Sequence, residues 1–347
     1  MKTILGIGNA LTDILAVLPD DTLLNTFHLP KGSMQHVDME TGDKIWATLK
    51  PLGVKYVAGG SAANTITCTS IFGMPSSFIG KIGDDIFGTQ LEQALEEVGI
   101  DTKGLKKDQK VHTTLAFVHT LEDGDREFSF YRNPGADMML SEEDLEEELI
   151  RDCKIFHFGS LSMTSEPCRT ATKKAIAMAE EAGVLLSFDP NLREPLWETL
   201  EDAKEQIMYG LEHCHILKIS DNEIQWFTGL EDYDAGIAKI QEQFHIPLIL
   251  LSLGKDGSRA YTKDLRVETE AFLQENTIET TGAGDTFGAC ILHYVLEHGW
   301  KEYGEEELKE MLTFANAAAS IVTTRKGALR VMPQKEEVEA LLAERTK

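Results

Sequence analysis

Basic residues are scarce in this sequence. Lys and Arg number 33 against 58 Asp and Glu, giving a net charge of −25. Nucleic acid demands a basic face and an anionic bilayer favours one, so neither is an expected partner. Cysteine is also sparse, with 5 residues and no Cys-x-x-Cys pair. Reduced, mostly buried thiols in a cytoplasmic protein are the expected reading. No apolar run reaches the ~18 residues of a membrane helix. The opening MKTILGIGNALTDILAVLPDD has one Lys and an apolar run broken by Asp13, which argues against a signal peptide. A Gly-x4-Gly-Lys-Ser/Thr loop is missing, which excludes a P-loop. His213 and His215 flank Cys214 beside the apolar run ILKI. With no matching ligand cluster nearby, they read as a strand end rather than a metal site.

What is present is a chain of 347 residues, 42% hydrophobic. At roughly 150 residues per domain it suits two domains, or one large α/β domain with an insertion. Short apolar runs at 3–8, 77–82, 154–159, 184–189, 215–219 and 246–253 read as buried strands. Helical segments separate them. Leu91, Leu95 and Val98 share one face of 88–98, which Gly99 ends. Ser165 is a candidate cap for a helix with Pro167 in its first turn and Gly183 at its end. Ser141 and Asp144 form a capping-box pattern before the acidic run EEDLEEEL, which reads as a solvated helix face. This alternation predicts a parallel sheet covered by helices on both sides. Residues 12–38 and about 108–132 break the rhythm and read as hairpin strands, the second around the turn DGD. The expectation is a single domain over 1–347 with a small sheet inserted.

Five loops could carry chemistry. ETTGAGDTFGACILHYVLEHG, residues 279–299, sets small residues and Asp285 at the start of an apolar helix. Exposed amides at a helix N-terminus attract anions. A carboxylate there suits proton removal from a hydroxyl while the amides hold phosphoryl charge. A glycine loop with a capping Asp is the plain alternative. AGGSAANT at 58–65 permits close backbone approach, and Asn64 offers both a donor and an acceptor to a polyhydroxyl ligand. GIGNALTD at 6–13 has Leu11 where a dinucleotide fingerprint needs its third glycine. It does place Asn9 and Asp13 after a strand, where open α/β sheets bind ligands. FDPNLR at 188–193 and LSLGKDGS at 251–258 lie at equivalent ends. Each alone could be an ordinary loop. Together they would line one crevice.

These motifs, in this order, resemble the ribokinase-like (PfkB) carbohydrate kinases over essentially the whole chain. GGSAANT is similar to the family's N-terminal signature and TTGAGDTF to its C-terminal one; SLGKDG and FANAAASIVTTRKGA also match. DREFSFYRNPGADMML, IFHFGSLSMTSEPCR, LLSFDPNLREPLW and KISDNEIQWFTG look most like fructokinases. LPKGSM and GGSAANT look more like bacterial adenosine-kinase-like members. The resemblance implies a ribokinase-like three-layer α/β/α domain with a mostly parallel central sheet and a small β-sheet lid. It implies Mg²⁺-dependent transfer of phosphate from ATP to a hydroxymethyl group of a sugar. Asp285 would be the general base, with the amides of Gly282, Ala283 and Gly284 as the anion hole. Asn9, Asp13, Gly59, Gly60 and Asn64 would hold the sugar, with Arg132 and Arg193 as further substrate or phosphate contacts. Lys218, Ser220 and Glu223 would lie near the phosphates, Glu223 towards the Mg²⁺. Ser252, Gly254, Gly257 and Asn316 would border the nucleotide.

Three positions depart from the family pattern. Ser220 replaces the Asn of Asn-x-x-Glu, Glu279 replaces an Asp linked to a K⁺ site in some members, and Gly135 stands where fructokinases commonly have Ser. A nucleoside kinase is the nearest rival, with Phe117, Phe128 or Phe130 as walls for a base. A silent sugar-sensing regulator has no use for Asp285, and a nicotinamide dehydrogenase fails at Leu11. A homodimer through free lid edges is a further expectation.

Overall fold

A strand covered on both faces must be apolar throughout, and the uninterrupted runs of this chain become such strands. The computed structural model describes residues 4–18, 20–29, 34–37, 39–120, 126–132, 134–325 and 331–345. The strands are β1 (Ile4–Ile7), β2 (Leu11–Val17), β3 (Met34–Val37), β4 (Lys55–Gly59) and β5 (Ser76–Gly83). They continue as β6 (Ile100–Asp101), β7 (Leu105–Asp108), β8 (Thr114–Thr120), β9 (Arg126–Tyr131) and β10 (Ile155–Gly159). The last are β11 (Leu185–Asp189), β12 (Ile216–Ser220), β13 (Leu248–Ser252), β14 (Ser258–Tyr261) and β15 (Arg266–Thr269).

The main sheet runs β15-β14-β13-β12-β11-β10-β1-β5-β6, with β7 also on β5. It is parallel from β13 to β6, and β14 and β15 close one edge antiparallel. A second sheet has the order β3-β9-β8-β2-β4. It mixes antiparallel pairs (β2 with β4, β8 with β9) and parallel ones (β2 with β8, β3 with β9). The fold is ribokinase-like α/β, with a smaller sheet beside a mostly parallel one.

The helices are α1 (Thr22–Phe27), α2 (Met39–Leu49), α3 (Ser61–Ile71), α4 (Ile86–Glu97), α5 (Glu147–Asp152) and α6 (Cys168–Glu181). After them come α7 (Leu200–His213), α8 (Asp221–Thr228), α9 (Tyr233–Phe244), α10 (Ala283–His298), α11 (Glu305–Thr323) and α12 (Lys335–Arg345). Alternate strand residues feed two cores. Ile216, Leu248 and Leu250 meet α10 and α11 on one face. Leu217, Ile219, Ile249 and Leu251 meet α6 to α9 on the other. α6 shows the matching helical period, burying Cys168, Ala171, Thr172, Ala175, Ile176 and Ala179. Gly6 faces α3 so closely that a Cβ there would lie 2.4 Å from Ile66 Cγ1. A third core, built on Ile14, Leu24, Ile45, Leu115 and Phe117, lies under the small sheet.

Some local expectations change. The stretch 12–38, read as hairpin strands, contains a helix, α1, between β2 and β3. Ser165 does not cap α6: the helix begins at Cys168, with Pro167 in the cap position and no side-chain cap bond. Ser141 and Asp144 do form a capping box, but on a single 3-10 turn at Glu142–Asp144.

Candidate active site

Residues just beyond the carboxyl ends of β1, β10, β11, β12 and β13 converge with the amino ends of α3 and α10. They enclose a cleft of ≈ 470 Å³. Its walls include Asn9, Asp13, Gly60, Asn64, Arg132, Arg193, Lys218, Ser220, Glu223, Ser252, Gly282, Gly284 and Asp285. These come from loops far apart in sequence, brought together by the strand order. Gly59, Ala283, Gly254, Gly257 and Asn316 do not line it. Gly59 ends β4 and pairs with Leu11. Gly254 and Gly257 bound the turn after β13, where Gly257 has φ +94. Asn316, on α11, donates Nδ2 to Thr269 Oγ1 (2.9 Å) and to the Glu270 carbonyl (3.1 Å).

Asp285 stands in the first turn of α10 after Gly282, whose φ is +79. Its Oδ1 accepts from Ser61 Oγ at 2.7 Å and its Oδ2 from Asn64 Nδ2 at 2.8 Å. Burial lifts its carboxyl above the ordinary range, while those two bonds and the charges of Lys218 and Arg193 pull it back. The Ala283 amide is not aimed into the cleft, because it donates to the Thr280 carbonyl at 3.1 Å. That corrects the expected three-amide hole: Gly282 and Gly284 remain on its wall.

Lys218 rises from β12 on the α10 face, and its Nζ lies 3.0 Å from Asp189 Oδ2. It also packs under the glycine loop, since a Cβ on Gly284 would fall 3.2 Å from Nζ. Burial acts to lower the Lys218 ammonium, but the carboxylates of Asp189, Glu223 and Asp285 outweigh it and hold it above its ordinary value. Burial pushes Asp189 up to about 7, against the pull of Lys218. His157, beneath in β10, is held neutral, pushed down to about 3 by burial and by Lys218. It offers no competing base.

Ser220 caps α8, and Glu223 closes the box. Glu223 Oε2 accepts from the Ser220 amide and hydroxyl, both at 2.8 Å, and Oε1 accepts from the Leu192 amide at 2.8 Å. So the Ser at 220 fixes Glu223 from below. Glu279 is buried, and its amide donates to the Thr323 carbonyl at 3.2 Å. Phe117 belongs to the core under the small sheet and not to the cleft. The side chains of Phe128 and Phe130 lie outside the described residues.

Sequence reading missed Ser61, although it sits inside GGSAANT, and Thr280 and Thr281, which line the cleft with Asn191 of the FDPNLR loop. It missed Asp137 as well, a buried acid in the quoted stretch GADMML. Asp137 Oδ2 accepts from Asn9 Nδ2 (2.8 Å) and Arg132 Nε (3.0 Å), and Oδ1 accepts from Thr114 Oγ1. Arg132 is therefore ion-paired in place on the wall of the cleft.

A family model described as pfkB family carbohydrate kinase matches residues 44–335. The chain belongs to the PfkB carbohydrate kinases. A probable fructokinase-2 of Arabidopsis thaliana is 44% identical over 275 residues, 79% of this chain and 83% of that protein. The crystal structure of a Xylella fastidiosa fructokinase with bound ATP superposes with a TM-score of 0.83 at 28% identity, over 100% of this chain and 99% of that one. The adenosine kinase of Sinorhizobium meliloti shares the fold at a TM-score of 0.81 and 22% identity, covering 100% and 99%. A PfkB member is a phosphotransferase with small-molecule substrates, and this one is fructokinase-like. Among the described residues no helix is long and apolar enough to cross a membrane.

Proposed function

We propose that this chain transfers the γ-phosphoryl group of ATP, in line, to a primary hydroxyl of a monosaccharide, with fructose the leading acceptor. The observation that carries the reading is the Asp285 carboxylate: part-buried on the cleft wall, held by Ser61 and Asn64, and set at the amino end of α10. Asp285 takes the proton of the attacking hydroxyl. A carboxyl lifted above its usual range is, once ionised, a stronger base. The Gly282 and Gly284 backbone and the α10 dipole supply positive potential where phosphoryl charge develops. Lys218, under that loop, adds a fixed cation. Fructose, rather than another sugar, is favoured by the names of the relatives.

The sugar lies among Asn9, Asp13, Gly60, Asn64, Arg132 and Arg193, with Gly59 packed behind Asp13. The nucleotide extends past Lys218, Ser220 and Ser252 towards Gly254, Gly257 and Asn316. The small sheet acts as a lid that excludes water and limits wasteful ATP hydrolysis. Among the described residues no cluster of three or more His, Cys, Asp or Glu side chains could hold a metal. Mg²⁺ therefore fits as an ion carried on the nucleotide phosphates, the usual arrangement for this cation. Glu223 would be its protein ligand, its oxygens retaining lone pairs beyond the bonds they accept. When bound, Mg²⁺ neutralises phosphate charge.

ADP release with Mg-ATP tests the reading, using fructose, ribose, 2-keto-3-deoxygluconate, adenosine and inosine as acceptors. Each is run with and without K⁺, because Glu279 stands where an Asp is usual. Turnover on fructose is expected; turnover on a nucleoside alone would reassign the substrate, and silence on the panel would overturn the reading. Asp285→Asn should lose about 10²–10⁴ in kcat, the usual weight of a general base, while nucleotide binding persists. Near-normal turnover would reject Asp285 as the base.

A further inference from the structure

Asp137 is only 1% exposed and does not line the cleft, yet it holds two side chains that do. Its Oδ2 receives Asn9 Nδ2 at 2.8 Å and Arg132 Nε at 3.0 Å, with Arg132 Nη2 at 2.9 Å. Its Oδ1 receives the Thr114 hydroxyl. Asn9 follows β1 of the main sheet, Thr114 opens β8, and Arg132 follows β9 of the small sheet. One buried carboxylate thus ties the rim of the cleft to both sheets.

The bond to Asn9 decides which way that amide points. With Nδ2 donated to a carboxylate, a flip would set the Asn9 carbonyl against negative charge. Asn9 Oδ1 is left buried with no hydrogen-bond partner among the described residues. Asn64 repeats the arrangement. Its Nδ2 is held by Asp285, and its Oδ1 is likewise buried and unpartnered. Two carboxylates therefore turn two asparagines so that each offers an acceptor. A buried acceptor without a donor is costly, and a hydroxyl group of a ligand supplies the donor.

We propose that Asp137 is a positioning residue for the sugar. By fixing the amide of Asn9 and anchoring Arg132 through Nε, it makes the Asn9 carbonyl oxygen an acceptor that reads a hydroxyl donor of the sugar at that point. This rests on the sugar-kinase reading above. It also gives Gly135 a reason. A Cβ at 135 would fall 1.7 Å from Thr114 Oγ1 and 2.7 Å from Asp137 Oδ1, so any side chain there would displace Thr114 and disturb the carboxylate it holds.

The test is steady-state kinetics of wild type, Asp137→Asn and Thr114→Val, varying sugar and ATP separately, with thermal melts alongside. Asp137→Asn keeps the shape but sets an amide against donors. Sugar KM should rise about 10-fold or more, with the KM for ATP within about twofold. Thr114→Val removes one donor, contributed from β8, and should raise sugar KM by a smaller factor; it keeps the idea testable if Asp137→Asn does not fold. Deoxy analogues of the accepted sugar give the readout that a packing role would not move. Losing the hydroxyl read by Asn9 should cost wild type about 10-fold or more in kcat/KM and Asp137→Asn much less. Unchanged sugar KM in both variants, or an equal deoxy penalty in wild type and variant, overturns the positioning role and leaves the kinase reading intact. A wild type that phosphorylates no sugar overturns both.

Discussion

Replacing Lys218 by Met removes a buried ammonium and keeps the length of the side chain. Asp189, 3.0 Å away, then has no cation beside it. With Lys218 present, burial already lifts Asp189 from an ordinary 3.8 to about 7. Without it the carboxyl must rise further, since Lys218 is what opposes the lift. The sign follows from linkage. A carboxyl whose folded pKa is raised contributes stability that is full at low pH and lost as pH climbs to the folded pKa. In wild type that loss ends near pH 7. In the variant it continues above pH 7, at up to about 1.4 kcal/mol per pH unit, so at most roughly 3 kcal/mol between pH 7 and pH 9. This is comparable to the roughly 3–5 kcal/mol found when one partner of a buried pair is removed. At roughly 2 °C per kcal/mol for a long chain, the gap in Tm should widen with pH, by up to about 6 °C. Thermal melts of both proteins at pH 6, 7, 8 and 9 measure it. A gap of constant size across that range would refute the electrostatic account of Lys218 and Asp189.

Two further substitutions probe the cleft from its backbone and its nucleotide end. Gly60→Ala should destabilise by roughly 2–4 kcal/mol and weaken sugar binding, because φ is +119 and the added Cβ would lie 2.2 Å from the Asn9 carbonyl oxygen; an unaltered melting curve would contradict it. Ser220→Ala should cost about 1 kcal/mol of stability as a lost cap, and, by freeing Glu223, raise the KM for Mg-ATP about 10-fold while sugar KM holds; initial-rate kinetics with each substrate varied would show whether the two ends of the cleft separate in this way.

The parallel strands were legible because burial on both faces leaves a local mark, a run such as LILLS at Leu248–Ser252 with no polar alternation. The crevice loops were legible for a related reason: glycines and Asx residues at strand ends stand out against apolar neighbours. The small sheet was harder. β2 pairs with β4 and β8, so its partners lie dozens of residues away, and TLLNTF in α1 has no marker that separates a short helix from a strand. Ser61 and Asp137 were hidden by distance of another kind. Their hydrogen bonds to Asp285 and Asn9 span 224 and 128 residues, and no local pattern encodes such a pairing. Ala283 failed in the opposite way, since its amide is taken by a turn only three residues back.

The contact between Asn64 and Asp285 also spans most of the chain, 221 residues. β1, made first by the ribosome, ends in the middle of the sheet between β5 and β10. Asp285, whose carboxylate completes the cleft, is made long after β1, Asn9 and Asn64. A chain that stops before α10 can therefore gather part of a sheet but lacks Asp285, the base proposed above. Non-local pairing of this kind slows folding. It also means that a cut anywhere between the two residues leaves neither fragment with both halves of this contact.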